Sequence, residues 1–368
     1  MNPWKYSEII AERMKRQGLT QPLDNPLDEE SYTELFRRLQ PVAPVHFSRP
    51  GDPPKLIHRT EYDDTGMSSS LRERHILVKG RFLGGRVAYV LEDDLKLYAT
   101  AFRKMPTRFN RVHEDVLSTI REAGGLTKEQ LKEELDYSAG DIGKALQDLQ
   151  CAFLLQEDQI DTDWETGWLD FSEEWFEIPA DAESQDEALL EVIQRFVVSM
   201  VFVTESQIKS WCSLPSKTIK EMVRWLVESG RIVRTQAEGL DEGVMSIEDV
   251  ESTSSRASEY PKGIYMLDKS DILVRAQMDE LKTRYKGLEV LQYLLVDGKF
   301  QGVVLGHWRI GPYDVDDIIL DLDQAEVAAR QAEVLAAVRE TYNPEDCAIL
   351  RYNGVEISQC PIEEGKRS

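Results

Sequence analysis

Six basic side chains, Lys209, Lys217, Lys220, Arg224, Arg231 and Arg234, crowd a segment that holds only three acids, Glu205, Glu221 and Glu228. In a chain with a formal charge of −23, such a surplus is a local exception. The chemistry it suits is neutralisation of phosphates along a nucleic-acid backbone. Lys217, Lys220 and Arg224 are the candidate contacts there, with Arg81, Arg86 and Arg103 from the N-terminal region. Other constellations are missing from the sequence. His46, His58, His75, His113 and His307 form no HExxH and no metal spacing. Cys151, Cys212, Cys347 and Cys360 make no CxxC, so neither a zinc site nor a disulfide framework is expected. Gly84-Gly85 and Gly124-Gly125 are turn glycines, and no Walker loop is present. No metal and no cofactor is expected.

What must position the cations is a segment that occurs twice. Residues 116–156 and 193–233 overlay at a constant offset of 77 residues without a gap. Val116 falls on Ile193, Ile120 on Val197, Leu131 on Ile208, Ile142 on Ile219 and Leu149 on Leu226. Each copy holds Thr-x-x-Gln, Thr127 with Gln130 and Thr204 with Gln207, the signature of a capping box. Pro215 suits the first turn of a third helix. Three helices with a helix–turn–helix and a trailing hairpin describe a winged helix, which as a DNA reader puts its third helix in the major groove. The same fold also serves packing and protein contacts.

The rest of the chain frames these copies. Helices are expected over 7–17 and 28–39, then an extended proline-rich loop over 41–54. Strands over 75–83 and 86–91 flank Gly84-Gly85 as a hairpin, and a helix follows from Glu92. Residues 245–262, rich in Ser and Glu, read as an exposed mobile insertion, and 263–267 as a short strand. Further on, Asp297-Gly298 and Asn353-Gly354 mark two hairpins, with a helix over 324–341. The fold class is α+β, mainly helical: tandem winged-helix domains followed by a small β-rich C-terminal domain. The expected boundaries are 1–109 for a diverged winged-helix-like domain, 110–187 and 188–268 for the two copies, and 269–368 for the C-terminal domain.

Composition narrows the class. At 41% apolar and 30% charged residues the chain is that of a globular protein. It has no run long enough to span a membrane and no apolar leader at its start, so a cytoplasmic location is expected. Residues 1–110 carry 18 Lys+Arg against 15 Asp+Glu, a balance of +3, leaving −26 for residues 111–368. A phosphate-contacting face should therefore draw on the N-terminal third. From Glu157 to Glu191 the chain has fourteen carboxylates and no Lys or Arg, interleaved with Trp164, Trp168, Phe171, Trp175 and Phe176. That stretch is either a docking surface for a basic protein partner or a linker whose aromatics pack inward; packing is the preferred reading.

Three further segments carry a family resemblance. ERMKRQGL at 12–19, GGRVAYVLEDDLKLY at 84–98 and LLVDGKFQGVVLGHWR at 294–309 occur in an order that resembles the winged-helix superfamily of crosslink-repair and alkylpurine DNA glycosylases, the YcaQ-like group. The resemblance implies duplex DNA, intact or damaged, as partner, and hydrolysis of the N-glycosidic bond of alkylated bases. It also implies a catalytic Gln-x-Gln or Gln-x-Asp after the second helix. A register that keeps Leu39 puts Ala43 and Val45 at those positions, so this chain is expected to lack the standard pair. Gln40 lies close by and reads as a surface or capping residue. Three functions follow: a DNA-binding relative of the glycosylases without the standard catalytic residues; an active glycosylase with a relocated group, Gln40, Asp63, Asp64 or Asp271; and an acidic protein scaffold that binds no DNA.

Overall fold

Capping chemistry sets the helix starts. In the computed structural model, which describes residues 4–45, 52–158, 167–237, 239–252, 260–307 and 314–357, α1 (Tyr6–Arg16) gives way to Gly18 at φ 75°. The second helix, α2 (Glu29–Leu39), is capped by Asp28, whose carboxylate accepts from the Ser31 N–H at 3.0 Å. Its acids lie in the first turn and Arg37 and Arg38 in the last, the order the helix dipole favours. α3 (Thr65–Glu73) then precedes the expected hairpin, β1 (Leu77–Phe82) with β2 (Arg86–Leu91), which runs in register from Leu77 opposite Leu91 to Phe82 opposite Arg86. Gly84 and Gly85, at φ 80° and 87°, turn it. α4 (Glu92–Phe102) starts directly on the second strand.

The two similar segments follow. The first runs α5 (Arg111–Ala123), β3 (Leu126–Thr127), α6 (Lys128–Glu134), α7 (Ala139–Cys151), β4 (Leu155–Asp158) and β5 (Gly167–Asp170), with the strands in the order β3-β5-β4. After α8 (Phe171–Glu174) the second runs α9 (Ala182–Met200), α10 (Glu205–Cys212), α11 (Ser216–Glu228), β6 (Ile232–Gln236) and β7 (Glu242–Ser246). Both capping boxes are formed: Thr127 and Thr204 each accept from the Gln N–H three residues on at 3.2 Å. The Gln130 and Gln207 carbonyls accept from the cap N–H groups at 2.8 and 3.0 Å. Pro215 stands at the cap of α11, one residue ahead of its first turn. Val116, Ile120, Leu131, Ile142, Leu149 and Leu155, and their counterparts Ile193, Val197, Ile208, Ile219, Leu226 and Ile232, are all at most 1% exposed. The spacing thus selects the core of each segment.

Two expectations for the loop after β7 change. Residues 247–251 form a helix, α12 (Ile247–Glu251), with Asp249 buried. The Asp249 carboxylate accepts from Arg16 and its carbonyl from the Trp4 indole at 3.3 Å, so this part is tied down, not a free insertion. β8 (Ile264–Asp268) pairs with the C-terminal strands and not with β6 or β7.

The chain divides into two compact units, residues 1–260 with 270–279, and residues 261–269 with 280–368. After α13 (Ile272–Arg284) come β9 (Val290–Val296), β10 (Lys299–Leu305), β11 (Asp317–Leu320), α14 (Gln324–Ala329), α15 (Gln331–Arg339), β12 (Arg351–Tyr352) and β13 (Val355–Glu356). Their sheet has the order β13-β12-β11-β10-β9-β8, antiparallel except between β11 and β12. Asp297-Gly298 and Asn353-Gly354 take left-handed backbone at both turn positions, as two-residue hairpins require. The expected single helix over 324–341 is broken at Arg330, whose side chain turns to Asp297 and Glu333. His46, Trp164, Arg309 and Cys360 lie outside the described residues.

Candidate active site and nucleic-acid interface

The end of α2 fixes the most constrained polar group near a cavity. Helical hydrogen bonding closes with the Gln40 N–H on the Phe36 carbonyl, so Gln40 is the residue on which the second helix ends. It does cap that helix, but it is not on the surface: Gln40 is 2% exposed. Its Nε2 donates to Asp94 Oδ2 at 2.6 Å, and its Oε1 accepts from the Leu91 N–H at 2.9 Å. The Tyr98 hydroxyl donates to its main-chain carbonyl at 3.3 Å. Held at both ends, the amide keeps one N–H and one lone pair uncommitted by these bonds. Two residues on, Val42 exchanges main-chain hydrogen bonds with Tyr89 at 2.9 and 2.8 Å, which docks the departing chain on β2.

Gln40 lines a cavity of about 510 Å³ whose walls also hold Arg16, Arg37, Arg38 and Arg195. Phe196 and Trp211, stacked with ring centroids 4.0 Å apart, form part of its apolar side. Beneath the polar side, Asp94 Oδ1 accepts from Arg195 at 2.8 Å, and Oδ2 takes Arg37 as well as Gln40. Burial alone would raise the pKa of Asp94. The hydrogen bonds from Arg195 and Gln40 and the charges of Arg195 and Arg37 outweigh it, holding the carboxyl below its usual range. Asp94 is therefore an ionised anchor that holds three donors, one on Oδ1 and two on Oδ2. Glu34 and Glu191 are the carboxylates on the cavity wall itself, and Glu191 accepts from Arg195 at 2.8 Å.

The other acid candidates are committed elsewhere. Asp63 accepts from the Thr65 hydroxyl at 2.5 Å and from Lys55 at 3.2 Å, bonds that bring its pKa down to about 2. Asp64 is buried, accepts from the Tyr32 hydroxyl and the Leu56 N–H at 2.8 Å each, and has its pKa raised by that burial. Asp271 pairs with buried Arg59 at 2.8 Å. None of these three lines the Gln40 cavity.

The six basic candidates split into two groups. On α11 the buried residues are Ile219, Met222, Val223 and Leu226. Lys217, Lys220 and Arg224 recur at i, i+3 and i+7 on the opposite side and are exposed. Only loose ion pairs restrain two of them, Lys217 with Glu221 at 3.9 Å and Arg224 with Glu228 at 3.8 Å. The N-terminal arginines are turned to internal partners. Arg81 donates to Gln150 at 2.5 Å and to the Gly85 carbonyl at 3.1 Å. Arg86 reaches Ser213 at 3.3 Å, and Arg103 donates to the carbonyls of Ile178 and Pro179 at 2.8 and 3.1 Å. Of the described aromatics of the acidic stretch, Trp168 and Phe171 are buried, Trp175 and Phe176 are half-buried, and the Trp175 indole donates to Gln156 at 2.5 Å. Three of its described acids are in ion pairs, Glu157 with Lys79 at 2.8 Å, Asp170 with Arg121, and Glu191 with Arg195 at 2.8 Å.

Among the described residues no group of three or more His, Cys, Asp or Glu is placed to hold a metal, and no helix is long and apolar enough to cross a membrane. Arg195 and Asp94 were not among the sequence candidates. Asp94 carried a signal, the acidic-Leu pair within the second resemblance segment. Arg195 carried none, since its partner lies 101 residues away.

A model of the family described as DNA glycosylase AlkZ-like matches residues 78–283, more than half of the chain. Among solved structures, the fold is similar to that of the Streptomyces sahachiroi DNA glycosylase AlkZ, with a TM-score of 0.69 and 16% identity, covering 95% of this chain and 100% of that one. No curated protein matches by sequence.

Proposed function

We propose, from the premise that the chain belongs to the AlkZ-like DNA glycosylase family, that it binds duplex DNA and releases an alkylated base at the Gln40 cavity. The observation that carries this reading is the placement of Gln40. It is the polar residue following α2, its amide is fixed at both ends, and it opens on a cavity walled by four arginines. A neutral amide cannot take up a proton, so its part is to hold and aim a water at the sugar carbon. As water adds there, the carbon–nitrogen bond breaks and its electron pair leaves with the base. A base already positively charged by alkylation departs as a neutral molecule. The proton of the water passes to a carboxylate of the wall, Glu34 or Glu191, because Asp94 lies beneath the cavity and does not line it.

In the same reading residues 110–187 and 188–260 are two winged helices, with a diverged third over 1–109, and the β-rich part takes residues 261–269 and 280–368, because β8 joins the C-terminal sheet. The matched cores, the paired capping boxes and the hairpin after each third helix support it. Lys217, Lys220 and Arg224 on α11 are then phosphate contacts.

A second reading, DNA binding without catalysis, is favoured by one observation: Val42 stands where a second polar group two residues after Gln40 would be. Incubation with a duplex carrying N7-methylguanine separates the two. Release of free base that falls at least about 100-fold in Gln40→Ala supports catalysis. Salt-dependent binding with no release supports the second reading, and no binding at low salt leaves an acidic scaffold.

A further inference from the structure

We propose that Asp94 is the positioning residue of the Gln40 site, one carboxylate that fixes the catalytic amide and, through Arg37 and Arg195, two of its cationic walls. The inference rests on Gln40 being the group that meets the reacting water. A glutamine amide rotates about its last torsion over a broad, roughly two-fold profile, and its two ends are nearly identical in shape but opposite in hydrogen-bonding sense. A site that needs one end must say which. Here the Leu91 N–H can only donate, which selects Oε1, and ionised Asp94 can only accept, which selects Nε2. Turned over, the amide would face donor with donor and oxygen with carboxylate.

Without Asp94 the amide would hang on the Leu91 bond alone. The same carboxylate gathers three side chains from two helices: Gln40 at the end of α2, Arg37 within α2, and Arg195 on α9. Asp94 is 6% exposed and does not line the cavity, so whatever it does for the reaction it does through these neighbours. It also supplies negative charge beneath the wall at Arg37 and Arg195, the two of the four arginines that it touches.

The test combines a signal that needs no activity with one that does. In protein labelled with nitrogen-15 glutamine, the Gln40 side-chain amide is assigned by its loss in Gln40→Ala. It should be protected from solvent exchange in the native protein, unprotected in Asp94→Ala and Asp94→Asn, and protected again in Asp94→Glu. On N7-methylguanine duplex under single turnover, Asp94→Ala should lose as much rate as Gln40→Ala, on the order of 100-fold. Adding it to Gln40→Ala should change the rate by no more than about twofold. Affinity for the duplex should stay within about threefold, because every arginine is retained. An amide still protected in Asp94→Ala, or rate losses that multiply in the double variant, would overturn the proposal. If the native protein releases no base, the reading of Gln40 fails while the amide signal still decides the positioning role. A rate lost in Asp94→Ala but kept in Gln40→Ala would also refute it, since Asp94 would then act by another route.

Discussion

Replacing Lys217, Lys220 and Arg224 together by alanine tests the DNA-facing side of α11 quantitatively. The three side chains share the exposed side of a helix whose opposite side is buried, so their removal leaves the core of that segment untouched. Each phosphate neutralised on duplex DNA contributes about 0.9 to the slope of log affinity against log salt. Three contacts amount to about 2.7, and over a fourfold rise in salt, from about 50 to about 200 mM, that corresponds to roughly 40-fold in affinity. Fluorescence anisotropy with a labelled duplex, titrated at five or more salt concentrations, measures both slopes. The wild type should be steeper than the triple variant by about 2 to 3, and the two should converge as salt rises. The ion pairs to Glu221 and Glu228 are long and exposed, so they lower this figure little. Equal slopes, with both proteins folded, would show that this side of α11 meets no phosphate and would refute the assignment.

Three other outcomes follow from the packing. Buried Arg13 donates to the Met200 carbonyl at 2.9 Å and the Phe202 carbonyl at 2.7 Å, and burial pulls its pKa down to about 10. Those carbonyls bracket Val201, a β-branched residue at φ 66°, so Arg13→Met should cost about 2–4 kcal/mol in urea unfolding. A Cβ on Gly243 would lie 2.6 Å from the Val203 carbonyl oxygen, within a strand contact that cannot move away cheaply. Gly243→Ala should accordingly destabilise by about 1–3 kcal/mol and lower the melting temperature, whereas Gly124→Ala, with open space around it, tests only the left-handed backbone. Asp94, Glu157 and Asp170 all have pKa values below the usual carboxylate range in the folded protein, despite burial, because of Arg195, Lys79 and bonds from Ser172 and Arg121 respectively. Their contribution is complete above the unfolded values of about 4 and disappears as pH falls through the folded ones. Asp64, raised by burial, works in the opposite sense. Denaturation from neutral pH downward should show a decline that begins below about pH 4 and is shallower in Asp170→Asn.

Local chemistry made much of the fold legible. Thr-x-x-Gln announced both short capped helices, and Asp297-Gly298 and Asn353-Gly354 announced turns that only glycine and a tolerant neighbour accept. Apolar residues matched at a fixed offset gave the core positions of both similar segments. What stayed hidden was decided over distance. α3 is written in Gly and Ser, poor helix formers, and is held by bonds such as that from the Ser68 hydroxyl to the Pro54 carbonyl at 2.6 Å. At the break between α14 and α15, Arg330 bonds Asp297, thirty-three residues away. Gln40 looked like an ordinary helix end because its partner Asp94 lies 54 residues on. Arg81, Arg86 and Arg103 were visible as charge, but the carbonyls and side chains that hold them were not.

The most direct measurement is single-turnover release of base from a duplex carrying N7-methylguanine, comparing the native protein with Gln40→Ala at enzyme concentrations that saturate binding. Release by the native protein, lost about 100-fold in the variant with binding intact, is the result expected. Equal release by both would contradict the assignment of Gln40, and binding without release by either would leave a protein of this family that holds DNA and does not cut the glycosidic bond.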